Sequence, residues 1–247
     1  MKMNDNLNIL YDNFFNKNVI DTNTGIVKGK EKRFATKIAI GDNYQIAKRK
    51  ILFVSLDIGK DENLIDKNLN TFQDFEQRKK SVCESGYLEN KNPHMAGVYG
   101  TALYFLKDYY NWISNWQLME SKNQFFNRIL IENKEILPQD VLSYISLINF
   151  YNFVTIGRKE RTGGSDRNFI NEKDEIELLI NIINTINPDV IIVQSKTLMN
   201  YFKNLIKPKI SEKTEIFIGY HPSIFGRGIK NRIPKNYIKD LIENGKI

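Results

Sequence analysis

Thiols and imidazoles are scarce in this 247-residue chain, and their scarcity excludes several chemistries at once. One cysteine, Cys83, rules out a disulfide within the chain, a four-cysteine zinc site and a four-cysteine iron–sulfur cluster. Two histidines, His94 and His221, rule out a three-histidine metal site. Carboxylates remain the arithmetic route to a cation such as magnesium. No stretch of about 18 apolar residues is present to cross a bilayer, and residues 1–18 are polar, without the apolar stretch of a secretory signal. The expectation is a soluble, cytoplasmic protein without a membrane partner. Phosphate loops, dinucleotide-binding glycine fingerprints and Gly-x-Ser-x-Gly nucleophile elbows are absent from the sequence too.

What the chain does have is length enough for a real core. A chain of this size buries about 70% or more of the surface it exposes when unfolded, so it needs no covalent staples. It also carries a net charge of +7, and that charge is unevenly placed. Residues 1–50 hold ten basic and five acidic side chains, and residues 201–247 hold ten and four, so the middle of the chain is acidic. An abundance of Lys, Asn and Ile also accompanies AT-rich coding, so the total alone does not specify a polyanionic partner. Its concentration at the two ends is the more informative feature.

Four short apolar runs have the length and composition of buried strands: Ile51 to Leu56, Tyr144 to Asn149, Val190 to Gln194 and Glu215 to Gly219. Helical spacing fills the intervals, over 101–116, 172–186, 197–206 and 235–243, with Asn187-Pro188 ending the second. Gly157 to Asn168 is polar, holds Gly163-Gly164 and four basic side chains, and has the character of a long loop. Strands alternating with helices predict an α/β fold, a three-layer α/β/α sandwich around a central, mainly parallel four-stranded sheet. We expect one domain spanning 1–247, in which residues 1–50 form an N-terminal extension adding a helix and a basic edge.

Ligands of such sheets sit beyond the carboxyl ends of the strands, so the residues just past each run are the first candidates. Asp57 follows the first run. A carboxylate there activates water or balances a developing cation, although Asp is equally at home as a helix cap or in a turn. His221 follows the fourth, between Gly219 and Pro222, which biases it toward an extended, rigidly held conformation; a structural hydrogen-bonding role is the plainer alternative. Asn149 and Asn152 flank the end of the second run, and their amides offer the paired donor and acceptor that suit a nucleobase edge or an Asx turn. The small-residue segment 92–100 precedes a helix and offers His94, Met95 or Tyr99 as surfaces for stacking, or serves simply as a loop.

Taken together, these segments resemble the uracil-DNA glycosylase superfamily. That family has a Gly-Gln-Asp-Pro-Tyr type of motif after its first strand, a glycine-rich loop with a stacking aromatic, an Asn ending the second strand, and His-Pro-Ser after the last. The counterparts are Ser55-Leu-Asp-Ile-Gly59, the segment 92–100, Asn149 and His221-Pro222-Ser223. The likeness spans about residues 50–230, and His-Pro-Ser is its most specific part. Ser55 stands where the family has Gly, Ile58 where it has Pro, and the stacking Phe has no counterpart, which turns attention to substrates other than uracil.

The resemblance implies a metal-independent, cofactor-free DNA N-glycosylase, with DNA as partner and a monomer as the favoured state. Asp57 and His221 would be catalytic, with Asn149, His94, Met95 and Tyr99 holding the base. Ser223, Ile224, Phe225, Arg227, Lys230 and Arg232 would engage DNA, the two apolar side chains as wedges in the gap left by a flipped base. A modified pyrimidine, including one in invading phage DNA, fits the altered first motif. The competing expectation is a catalytically silent module that binds nucleic acid or nucleotides on the same fold. A third is a nucleotide-processing enzyme using carboxylates and a metal.

Overall fold

The computed structural model describes residues 3–22, 33–35, 37–56, 93–138, 140–155, 172–222 and 233–247. Seven strands are found among them: β1 (Arg33–Ala35), β2 (Ala39–Ile40), β3 (Ile51–Ser55), β4 (Ile145–Asn149), β5 (Phe153–Thr155), β6 (Val190–Val193) and β7 (Glu215–Ile218). The helices of seven residues or more are α1 (Met3–Lys17), α2 (Pro93–Tyr110), α3 (Ile113–Ser121), α4 (Phe126–Glu132), α5 (Glu172–Ile186) and α6 (Pro234–Gly245).

All four expected strands form, and they pair parallel in the order β4-β3-β6-β7. The expectation of a four-stranded sheet is corrected by β2, which adds antiparallel to the β4 edge and makes the sheet five-stranded and mixed. Two residues are too few for period-2 alternation to show in the sequence. A separate two-stranded ribbon pairs β1 with β5.

The strands are apolar on both faces because both are covered. Leu52, Val54, Ile148, Ile191, Val193, Ile216 and Ile218 join one cluster with Leu7, Tyr11, Phe14 and Phe15 of α1 and the apolar side of α5. Ile51, Phe53, Ile145, Leu147, Val190, Ile192 and Phe217 join the other, with residues of α2, α3, α4 and α6. The expected N-terminal helix is α1, and Lys17 holds it to α5 through Asp174 at 2.8 Å.

The helix expected over 101–116 is in fact two. α2 begins eight residues earlier, at Pro93, and stops at Tyr110, where Asn111 turns left-handed (φ 61°). The Trp112 amide then donates to the Lys107 carbonyl at 2.8 Å, the closing bond of a Schellman cap. Asn tolerates that backbone well, so the stop is built into an otherwise uninterrupted amphipathic pattern. The expected helix over 197–206 resolves into short turns across 196–209, including a π turn at Phe202–Ile206. The proposed loop 157–168 lies outside the described residues.

Candidate functional site

Side chains of a strand alternate between faces, so each parallel strand brings every second residue to the α2 side. On β3 that series is Ile51, Phe53, Ser55; on β4 it is Ile145, Leu147, Asn149; past β6 it is Val190, Ile192, Gln194. Each begins apolar and ends polar. The register puts Ser55 opposite Asn149, and the Gln194 amide continues the ladder by donating to the Val54 carbonyl at 2.8 Å. Asn149, Ser55 and Gln194 therefore form a polar row across three neighbouring strands at the carboxyl edge. Gly219, whose amide bonds to Val193 at 2.9 Å, continues the row onto the β7 strand without a side chain.

All three polar side chains are buried, at 1%, 3% and 0% exposure. Ser55 Oγ donates to Gln194 Oε1 at 2.9 Å. His94, in the first turn of α2, approaches the same oxygen through Nε2 at 2.8 Å and Ser55 Oγ at 3.3 Å. A carbonyl oxygen only accepts, so the close contact to Gln194 places a proton on His94 Nε2. Beyond this cluster, the hydrogen-bonding capacity of the row is unspent. Among the described residues, neither amide atom of Asn149 has a partner, and Gln194 Nε2 has none either.

His221 closes the other side of the row. Its ring stacks on that of His94, centroids 4.6 Å apart and planes 21° from parallel. The chain leaves β7 through Gly219 and Tyr220, whose carbonyl accepts from the Tyr237 hydroxyl at 2.9 Å. Pro222 then seats against α2 at Gly97, where a Cβ would collide with the proline ring. Gly97 thus permits the approach that brings the two imidazoles together. Burial, reinforced by the neighbouring His94, pushes the His221 pKa down to about 3. The ring is therefore neutral across the physiological range, able to donate one N–H without carrying charge.

Asn152, the other flanking amide, is fully buried with both side-chain amide atoms unpartnered among the described residues. Its backbone amide donates to Glu175 of α5 at 2.9 Å. At the rim, Tyr220 is half exposed, with Lys196 Nζ 4.0 Å from its ring centroid.

Of the residues expected to form a site, the structure brings together His221, Asn149 and His94 at one edge. His94 is engaged with Gln194 and stacked on His221, which takes up one face of its ring. Met95 and Tyr99 are corrected: both belong to the hydrophobic cluster beneath α2, 3% and 1% exposed, and the Tyr99 hydroxyl donates to the Pro138 carbonyl at 2.9 Å. The segment expected as a loop is already helical from Pro93, and the turn of the helix buries these two. Asp57, Ser223, Ile224, Phe225, Arg227, Lys230 and Arg232 lie outside the described residues.

Ser55 and Gln194 are the members of the row that sequence reasoning did not assign to the site. Their signal was present in the alternation, since each ends a same-face apolar series with a polar residue. Among the described residues, no group of three or more His, Cys, Asp or Glu side chains is placed to hold a metal, and no helix is long and apolar enough to cross a membrane. The chain matches no family model, and no characterised protein or solved structure matches it significantly.

Proposed function

We propose that this chain is a DNA N-glycosylase of the uracil-DNA glycosylase kind, on a three-layer α/β/α fold, that flips a damaged or modified base out of DNA and hydrolyses its N-glycosidic bond without metal or cofactor. The observation that carries the reading is the Asn149 amide: buried, unpartnered at both ends among the described residues, and at the same sheet edge as a neutral His221. A buried amide left unsatisfied costs about 1–3 kcal/mol. A nucleobase edge offering an acceptor beside a donor repays that cost on binding.

Hydrolysis breaks the bond between sugar C1′ and a base nitrogen. The electron pair leaves on the base, the sugar becomes cationic, and water adds to C1′ while losing a proton. The His221 N–H stabilises the charge that develops on a base oxygen, an interaction stronger in the transition state than in the ground state. Asn149 holds the base edge. Asp57, by its place in the motif, orients the water and offsets the charge on the sugar. The basic residues after His-Pro-Ser, Arg227, Lys230 and Arg232, grip phosphates.

The test is base release from DNA duplexes and single strands carrying uracil, 5-substituted pyrimidines or phage-type modified cytosines, read as abasic sites. Release is expected to persist in EDTA and to fall by roughly 10²–10³ in His221→Ala and Asp57→Asn. DNA binding should weaken steeply with salt. No release from any substrate, with salt-sensitive DNA binding intact, would instead identify a silent binding module.

A further inference from the structure

We propose that Gln194 is a second hydrogen-bond donor to the bound base, its Nε2 aimed at a carbonyl oxygen of the ligand. This deepens the glycosylase reading and rests on it for the base's place at the carboxyl edge. The amide is held at one end only. Ser55 Oγ at 2.9 Å and His94 Nε2 at 2.8 Å both engage Oε1, which fixes the plane of the group and leaves Nε2 facing away from them. That nitrogen is fully buried and unpartnered among the described residues, so two N–H donors are pre-oriented with nothing among those residues to receive them.

Their position favours a ligand over an internal role. Gln194 follows β6, between the strand that ends in Asn149's neighbour Ser55 and the strand that leads to His221. Gly219, beside it in the row, leaves the place of its side chain to Leu241 of α6, which stands 2.8 Å from where a Cβ would be. Through His94, which bonds Gln194 and stacks on His221, the Gln194 amide and the His221 ring belong to one connected cluster, so a base held against His221 lies beside the Gln194 amide. Donors in a site that excludes water read acceptors, and a ligand group that is itself a donor leaves them unpaired. The ligand class is therefore a neutral nucleobase with a carbonyl on the entering edge, such as uracil, its 5-substituted relatives or hypoxanthine, and not adenine, whose exocyclic group donates.

Calorimetric titration of the full-length chain with free uracil, hypoxanthine and adenine tests this directly, alongside base release from the DNA panel. The wild type should bind uracil or hypoxanthine and discriminate against adenine. Gln194→Leu should weaken that binding roughly tenfold, and Gln194→Glu, which replaces the donor with a charged acceptor, should weaken it further. Gln194→Met, similar in length and without donors, repeats the measurement should the leucine variant not fold. Equal binding by wild type and the folded apolar variant overturns the proposal, as do tighter binding of adenine or the binding of no base at all. Base release that continues unchanged in Gln194→Leu removes this role and leaves the glycosylase standing. Binding that depends on Gln194 without release from any DNA keeps the role and removes the glycosylase.

Discussion

The two ends of the parallel sheet are built from the same strands and treat their polar groups in opposite ways. At the amino end, charged groups are spent on each other, although the buried Tyr44 hydroxyl has no partner among the described residues. The Lys50 amide donates to Asp189 at 2.7 Å, Arg49 and Lys246 both bind Glu215 at 2.7 and 2.6 Å, and Thr214 caps the Pro188 carbonyl at 2.8 Å. The two cations hold the Glu215 carboxyl below its ordinary range. At the carboxyl end, the Asn149 amide and the donor end of Gln194 are buried without partners among the described residues. Paired, half-exposed charges are what a stable edge looks like. Buried, unpaired amides subtract from stability and are the mark of an edge prepared for something else.

That contrast is sharpest where α2 meets the His221-Pro222 turn. Gly97→Ala drives a methyl into Pro222 and should cost about 1–3 kcal/mol by overpacking, separating the imidazoles while leaving the amino end intact. Thermal denaturation reads the first effect and loss of base binding the second. Survival of both stability and binding would mean the close approach is not needed.

Acid separates the two ends next. His221 takes up its proton in the unfolded chain near pH 6.5 but in the folded chain only near 3, so between those values the unfolded state binds the extra proton and stability falls as pH falls. The expected loss from pH 7 to 5.5 is about 1 kcal/mol, measured by denaturant titration. His221→Gln should flatten that part of the profile; an unchanged slope would place its origin elsewhere.

A smaller and opposite effect is expected from Asn149→Leu. Removing a buried, unpartnered amide should stabilise the fold by about 1 kcal/mol, a rise of roughly 2–4 °C in Tm, while base release and base binding are lost. A fall in Tm would show the amide to be structural, and the contrast between the ends would collapse. Smallest of all, Lys246→Ala at the amino end should cost only about 0.2–1 kcal/mol, with the difference shrinking in high salt and no change in base binding.

Much of this was legible before folding was considered. Val190, Ile191, Ile192 and Val193 are apolar on both faces of the strand, which is possible only in a covered sheet, and the other three strands carry similar runs. The break at Asn111 was not legible, because its left-handed backbone interrupts no hydrophobic period. Nor was the inward fate of Tyr99: a sequence shows that an aromatic lies near a site, while the turn of α2 decides which way its ring faces. Ser55 and Gln194 fall between these cases. Their alternation was readable, but a polar residue ending a strand gains meaning only when its neighbours across the sheet are known.

The sequence by itself determined which segments become the parallel strands, which residue follows each one, and that His221 lies between Gly219 and Pro222 past the last. Tertiary structure alone decided that β3 lies between β4 and β6, placing Ser55 between Asn149 and Gln194, and that His94, 127 positions before His221, stacks on it. The physical reason is that strands pair through main-chain groups common to nearly every residue. Order and register are therefore chosen by how the whole chain buries its two apolar faces, and the polar row is a consequence of that choice.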